Sequence, residues 1–417
     1  MKYSIIILLL LFYSQCLISD EDKDESVFYY DKINGYVKVA NREFYERQER
    51  NRVIFQERLS NISQKVNSDA KDIVVALGLS SNAPVEAILT VLEMAFVKAI
   101  DILNKIGIRL SIKLIPQTKL NGPDILLIHE YIVENNASVL LGSDNEFTMY
   151  YVSIINQFRY RLPILSPFSQ SASFSDKKFF SLLTRTGFTY EAYRKSLRKF
   201  IESNLNTNLD KDLSVFIYSH SLDYKVPAQA VRDYFYNLTN LRYEFEDADL
   251  DSLVSKFVDF RLVIITSQPK YFRSIMLESH RRGYTNNSDY VFIFLNTLNG
   301  FDDTLLKIWY EANSTENEQA KEAFRKVLIL SPFVPTSSDY QAFCEKTKEN
   351  SYIYYNKKYD ILPVSADHFY DSLILYAKTL KLAHDNNVHY NATTELTKFI
   401  WNSTQIDRLF SPPKRLL

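Results

Sequence analysis

The chain holds 417 residues, with 49 Lys and Arg against 50 Asp and Glu, 46% hydrophobic and 24% charged residues, and only 8 Gly and 12 Pro. That composition excludes collagen-like, low-complexity and wholly disordered chains and supplies enough apolar surface for two cored domains. A formal net charge of -1 removes the electrostatic case for a nucleic-acid partner, because counterion release needs a surplus of cations.

In chain order, Lys2 precedes an apolar run over 5–12, and a short stretch around Ile18 and Ser19 meets the charges of Asp20, Glu21 and Asp22. This is the layout of a secretory signal peptide over 1–19, and the run is well short of the roughly 20 residues needed to cross a bilayer. No later stretch reaches about 18 apolar residues, so a secreted, soluble mature chain is expected. Cys16 lies in the signal and leaves Cys344 alone, so no intramolecular disulfide is available; the helical pattern around Cys344 favours a buried thiol over a bridge between chains. Asn-X-Ser/Thr sequons at Asn61, Asn136, Asn237, Asn286, Asn313, Asn391 and Asn402 are N-glycosylation candidates that agree with secretion.

Residues 20–71 are dense in Glu, Arg, Lys and Asn and read as a charged leader, mobile or loosely helical, outside the main fold. From Asp72 the texture changes. An apolar run over 73–79 reads as a buried strand, and Val85, Ile88, Leu89, Leu92, Phe96, Ala99, Ile100 and Leu103 recur at helical spacing after it. Strand-like runs follow at 110–115, 138–141 and 162–165, separated by helical patterns over 125–133 and 149–158. The Ser-rich stretch 169–175 reads as a loop. A second series places strands at 213–218, 241–245, 262–266 and 290–295, with helices carrying Val231, Tyr234, Phe235 and Leu238, then Leu253, Phe257 and Val258, then Tyr271, Phe272, Ile275 and Met276. Strands alternating with helices imply right-handed crossovers and parallel sheets covered on both faces, so the fold class is α/β with two doubly wound parallel-sheet lobes. Further helices are expected at 318–326, 339–348, 367–383 and 394–401.

Catalytic signals are missing. Eight glycines form neither a Gly-x-Gly-x-x-Gly turn nor a phosphate-binding Gly-x-x-x-x-Gly-Lys loop, and no Gly-x-Ser-x-Gly elbow occurs. The six His residues make no His-Glu-x-x-His helix, and a single mature Cys excludes a Cys/His zinc cluster. His384 and His389 miss the spacing that aligns two ligands on a helix. The acidic run Glu244, Glu246, Asp247, Asp249 and Asp251 reads as a solvated face or as helix N-terminal charge. Two α/β lobes without a catalytic motif point to a binding module, since open parallel sheets collect ligands at the C-terminal ends of their strands. No enzyme activity, metal or cofactor is expected.

Leu183-Thr184-Arg185-Thr186-Gly187 resembles the Thr-Arg-Thr-Gly segment of the natriuretic peptide receptors and their receptor guanylyl cyclase relatives. Tyr243-Glu244-Phe245, the stretch 262–268 with Pro269, Tyr271-Phe272-Arg273, Met276-Leu277, Gly283 and Asp289-Tyr290-Val291-Phe292 follow in that family's order. So do His368, Asp371, Leu373, Leu375 and Tyr376, and then Trp401-Asn402-Ser403. The likeness spans roughly residues 72–404. It implies the receptor ligand-binding region on a type I periplasmic-binding-protein fold, extracellular, dimeric and able to bind a peptide hormone. Lobe 1 is then expected at about 72–188 plus parts of 300–390, and lobe 2 at about 189–299 plus a C-terminal part.

By the same resemblance, Tyr218, Glu244 and Phe245 match ligand contacts, while Thr184, Arg185, Thr186 and Gly187 organise the crossover between lobes. From the residues alone, Phe245 reads equally as a strand-end core residue and Glu244 as a solvated charge. The family's paired cysteines are absent. Its chloride-binding turn is represented by Gly142 and Ser143 alone, as a candidate remnant. The tail 405–417 is expected to be where a longer receptor chain is truncated, with a membrane attachment only if the chain continues. Two alternatives stay open: a small, amino-acid-like molecule bound between the lobes, and a secreted decoy or heterodimer partner of related receptors.

Overall fold

The computed structural model describes residues 27–31, 35–39, 42–63, 71–79, 84–115, 121–142, 146–187, 189–204, 213–220, 224–235, 240–245, 249–296, 307–331, 335, 337–359, 362, 364–390 and 392–403. The expected signal peptide 1–19 and tail 405–417 lie outside them. Contacts divide the chain into two units. Unit 1 comprises Met1–Ser169, Asp176–Gly187 and Ser338–Leu417, and unit 2 comprises Gln170–Ser175 and Phe188–Ser337.

The N-terminal region corrects the expectation of a leader outside the fold. Strands β1 (Val27–Asp31) and β2 (Gly35–Val39) pair as an antiparallel hairpin, and helix α1 (Arg42–Ser63) follows. Phe55 and Leu59 of α1 are buried, as is Asn51, and Gln56 Nε2 donates to the carbonyl of Ile112 at 2.9 Å. Sparse apolar residues at helical spacing are enough to dock a helix when its polar residues also find partners.

The sheet of unit 1 has five parallel strands in the order β4-β3-β5-β6-β7: β3 (Lys71–Leu77), β4 (Ile108–Leu114), β5 (Val139–Leu141), β6 (Ile164–Ser166) and β7 (Leu183–Arg185). Central strands of such a sheet are apolar on both faces, and β5 and β6 are buried at every residue. At the edge, β4 alternates buried and half-buried residues. Helix α2 (Val85–Leu103) crosses from β3 to β4, and α3 (Asn121–Glu134) and α4 (Glu146–Phe158) make the next two crossovers. Against α2 lie α1 and two C-terminal helices, α10 (Ser338–Tyr355) and α11 (Val364–Asp385), with α12 (Thr393–Ser403) packed on α11.

Because α2 is covered on so many sides, two of its carboxylates are buried. Glu86 accepts from Asn51 Nδ2 at 3.0 Å and from the Tyr359 hydroxyl at 3.2 Å. Glu93 accepts from Arg58 Nε at 2.6 Å and from the Tyr355 hydroxyl at 2.5 Å, and the Arg58 guanidinium lies 3.2 Å from the centre of the Tyr354 ring. Thr90 Oγ1 and Ser351 Oγ are 3.0 Å apart and tie α2 to α10 at a third point.

Unit 2 has a second five-stranded parallel sheet, ordered β12-β11-β10-β8-β9: β8 (Val215–Ser219), β9 (Leu241–Phe245), β10 (Leu262–Thr266), β11 (Val291–Leu295) and β12 (Val327–Leu330). Alternation along the strands sends Phe216, Tyr218, Val263, Ile265, Phe292 and Phe294 into one core, and Val215, Ile217, Leu262, Ile264, Ile293 and Leu295 into the other. Helices α5 (Tyr190–Asn204), α6 (Lys225–Arg232), α7 (Leu250–Ser255), α8 (Pro269–Arg281) and α9 (Asn317–Ala323) complete the unit. The acidic run after β9 supplies a helix cap as expected, with Asp249 accepting from the Ser252 amide at 3.0 Å. Leu238 lies outside the described residues; α6 ends at Arg232, before Tyr234 and Phe235 of its apolar pattern.

Three further differences have physical reasons. Strands β7 and β12 are only three and four residues long and carry no periodicity that marks them alone. The division of the C-terminal third differs too: among the described residues, 338–403 belongs to unit 1 and 307–337 to unit 2. The apolar faces of α10 and α11 find their partner in α2, a long-range contact. The Ser-rich 169–175 is no plain loop either, since Ala172–Ser175 makes a turn of 3-10 helix that buries Phe174.

Burial holds the Glu93 carboxyl above its ordinary value of 4.5, opposed by Tyr355 and Arg58. Arg58→Ala should therefore cost about 1–3 kcal/mol, as expected when a buried charge loses its partner. A raised folded-state value favours folding while the group is protonated and loses that contribution as pH rises through it. Denaturant titrations should accordingly show the Arg58→Ala deficit growing from pH 4.5 upward, and Glu93→Gln should relieve it.

Candidate functional site

In a parallel sheet the backbone stops pairing at the C-terminal ends of the strands, and side chains there face a ligand instead of a neighbouring layer. In unit 2, β8 and β9 pair in register so that Tyr218 lies beside Glu244 and Ser219 beside Phe245. The three residues expected from sequence to touch ligand are thus brought to one end of two adjacent strands.

Their settings differ. Tyr218 is fully buried, with its hydroxyl 3.4 Å from both His220 Nδ1 and the Tyr271 hydroxyl. The His220 ring stacks on Tyr271, with centres 3.8 Å apart and planes inclined by 14°. Glu244 is half-buried and held between Arg242 at 2.6 Å and Lys256 at 2.7 Å. Its charge is therefore committed within the unit, which differs from the reading of a freely solvated carboxylate. Phe245 is half-buried, with Lys225 Nζ 4.6 Å from its ring centre, so it is not a core residue.

Sequence reasoning missed His220 as part of this ledge and met Tyr271 as a helix-face residue and as one residue of a family block, not as part of the site. The signal was available in the position of His220, one residue beyond the end of β8. Its amide donates to the carbonyl of Thr266 at 3.0 Å, which ties it to the end of β10. There Thr266 Oγ1 is buried without a hydrogen-bond partner among the described residues. At the end of β11 the Asn296 carbonyl accepts from the Tyr193 hydroxyl at 2.6 Å, and Asn296 Nδ2 donates to Ser331 Oγ at 2.9 Å. Burial pushes the Tyr193 phenol upward, which keeps it a donor. The ledge is aromatic and polar, with its charges internally paired, an arrangement suited to binding.

The crossover residues form a separate arrangement in unit 1. Trp401 Nε1 donates to Thr184 Oγ1 at 3.0 Å, Thr186 Oγ1 lies 2.6 Å from Ser372 Oγ, and the Thr186 amide donates to the Ser166 carbonyl at 3.1 Å. A Cβ on Gly187 would lie 2.0 Å from the Pro167 carbonyl oxygen and 3.2 Å from the His368 ring, so only glycine fits. Arg185 is half-buried at the end of β7. Sequence blocks around 184–187, 368–376 and 401 therefore meet in space.

Gly142 sits at the end of β5 with φ 89°, and a Cβ there would come within 2.6 Å of the Gly78 carbonyl oxygen. Ser143 lies outside the described residues, so the expected chloride remnant is represented by the glycine alone. Cys344 is half-buried, and burial pushes its thiol up to about 11. Among the described residues no group of three or more His, Cys, Asp or Glu is gathered for a metal ion. Of the sequon residues, Asn61, Asn136, Asn286 and Asn313 are exposed; Asn237 and Asn391 and the side chain of Asn402 lie outside the description.

Residues 93–406 match the profile of the receptor family ligand binding region. The chain belongs to that family. A stretch of 153 residues is 30% identical to the receptor-type guanylate cyclase gcy-28 of Caenorhabditis elegans, covering 34% of this chain and 12% of that relative. The chain thus spans a small fraction of the length of the cyclase it matches. Among solved structures, an ABC transporter substrate-binding protein from Sphaerobacter thermophilus superposes over 79% of this chain and 85% of its own at TM-score 0.56 and 11% identity. A putative branched-chain amino acid ABC transporter from Rhodospirillum rubrum covers 79% and 88% at TM-score 0.53 and 14% identity. These likenesses show the type I periplasmic-binding fold. The receptor family is one of ligand-binding regions and not of catalytic domains. Among the described residues no helix is long and apolar enough to cross a membrane.

Two substitutions separate the roles of the crossover residues. Gly187→Ala should destabilise unit 1 by at least the about 1–3 kcal/mol typical of overpacking, and Trp401→Phe by about 1 kcal/mol for one lost hydrogen bond. Thermal melts should show both effects, and hydrogen exchange should confine the Trp401→Phe effect to unit 1.

Proposed function

We propose that this chain is an extracellular receptor-type domain that binds a peptide ligand through the ledge at the C-terminal ends of β8, β9 and β10. The observation that carries the reading is the register that sets Tyr218 beside Glu244 and Ser219 beside Phe245, with the stacked His220 and Tyr271 next to them. Aromatic faces with polar tips bury large areas at low entropic cost, as peptide recognition requires. Paired internally, Glu244 acts in this reading by setting Arg242 and Lys256 in place. Phe245 offers the exposed part of its half-buried ring to an apolar side chain of the peptide.

Exposed sequons at Asn61, Asn136, Asn286 and Asn313 support an extracellular setting, where they would carry glycans. Asn136 and Asn313 sit at left-handed turns, with φ 46° and 64°. Membership of the receptor family supports a dimer, of this chain with itself or with related receptors, and the decoy role is one form of the heterodimer. A second reading, with a small molecule at the same strand ends, is favoured by one observation: the buried, unpartnered hydroxyl of Thr266.

Surface plasmon resonance of the full chain against fractionated secreted peptides tests the peptide reading. A saturable binder should lose about tenfold or more in affinity on Phe245→Ala and on His220→Ala, the loss expected for a central contact, while the melting curve stays unchanged. Unaltered affinity in both variants would remove the ledge as the site. A small molecule retained in native mass spectra, and lost on Thr266→Val, would decide for the second reading.

A further inference from the structure

On unit 1, two loops at the start of β6 and β7 are tied together, the second adjoining the crossover residues through Lys177, whose Nζ lies 4.7 Å from the Trp401 ring centre. Gln157 Nε2 donates to the Lys178 carbonyl at 3.1 Å, and the Tyr150 and Phe180 rings meet edge to face at 5.4 Å. Each loop is also fixed individually. Buried Asn156 donates through Nδ2 to the Leu162 carbonyl at 2.7 Å and accepts from the Leu162 amide at 3.1 Å. Its own carbonyl accepts from the Arg161 amide at 2.7 Å, which holds Arg161 at φ 57°. In the second loop the Asp176 carbonyl accepts from the Phe179 and Phe180 amides, and Lys177 Nζ donates to the Leu183 carbonyl at 2.7 Å.

What these loops present is unusual for a solvated surface. Phe158 is 80% exposed and Phe179 60%, the two most exposed phenylalanines among the described residues. Arg159, Arg161 and Lys178 are exposed beside them, and none makes an ion pair among the described residues. Asp176 is the single carboxylate in 157–161 and 176–180, against Arg159, Arg161, Lys177 and Lys178. Two large apolar side chains are held in water on fastened backbone, beside three cations that make no ion pair among the described residues, Arg159 lying 5.3 Å from the Tyr160 ring centre. Aromatic residues with arginine are the composition of binding hot spots, and a rigid presentation lowers the entropy lost on association.

We propose that the loops 157–161 and 176–180 form a docking surface for an acidic polypeptide segment bearing aromatic side chains. Charge complementarity decides the occupant: guanidinium groups recognise carboxylates in a bidentate manner, and the two exposed phenylalanines offer apolar faces to rings. Recognition of anionic lipid draws on clusters of four to eight basic residues; with Lys177 committed to the Leu183 carbonyl and lying 4.7 Å from the Trp401 ring centre, three are left to face a partner.

The test uses the full chain and the random copolymer poly(Glu,Tyr), with poly(Glu) as the control that lacks rings. Wild type should bind poly(Glu,Tyr) more tightly than poly(Glu), with affinity that falls as salt rises. Phe158→Ser with Phe179→Ser, and separately Arg159→Glu with Lys178→Glu, should each weaken binding about tenfold or more, with melting curves like wild type. All four side chains are exposed, so neither pair should impair folding. The proposal is overturned if the copolymer does not bind, or if both variants bind it as wild type does. It is equally overturned if the same variants abolish sedimentation with 70:30 phosphatidylcholine:phosphatidylserine vesicles instead, or abolish self-association in the ultracentrifuge.

Discussion

A helix buried on nearly every side cannot carry a free carboxylate, and α2 carries two. Glu86 and Glu93 lie one above the other on its inner surface, where an unpaired charge would cost several kcal/mol. The donors come from far along the chain: Asn51 and Arg58 from α1, Tyr355 from α10, and Tyr359 just beyond it. These bonds assign α1 and α10 to unit 1. They also explain why a segment rich in Arg and Glu is part of the fold instead of a solvated leader. Once α10 is fixed, α11 follows it onto α2, and α12 is carried onto β7 through Trp401.

That chain of placement has consequences for the sequence blocks that carry the family resemblance. Thr184, Thr186, Gly187, His368, Ser372 and Trp401 come from two stretches of unit 1 separated by the whole of 188–337, yet they converge within hydrogen-bond or van der Waals distance. Gly187 is the last residue before the chain enters unit 2. Its lack of a side chain admits the Pro167 carbonyl, and the hydroxyls on either side of Arg185 hold the strand in place. The hydrogen bonds of Thr184 and Thr186 tie the sheet edge to α12 and α11.

Unit 2 solves a different problem. Its central strands are apolar on both faces, and polar chemistry is displaced to their C-terminal ends, where Tyr218, His220, Thr266 and Asn296 gather. Edge strand β9 carries Arg242 and Glu244, which pair with each other, Glu244 pairing also with Lys256. A charged edge discourages further strand pairing, and the same charges frame the aromatic ledge.

Much of the architecture was legible in the sequence because local pattern and final environment agree. Continuous apolar runs such as 262–266 become fully buried parallel strands, and the spacing from Val85 to Leu103 becomes α2 as written. Composition and family likeness together settled the fold class and the kind of protein. Short strands, by contrast, have no period to read: β7 and β12 exist because neighbouring strands supply their hydrogen bonds. The docking of α1, the assignment of 338–403 to unit 1, the pairing of Glu244 with Arg242 and Lys256, and the stacking of His220 on Tyr271 were decided by tertiary structure alone. Each depends on partners far apart in sequence or on the direction a strand end points. Local periodicity records which face of an element is apolar, and carries no information about which distant element will cover it.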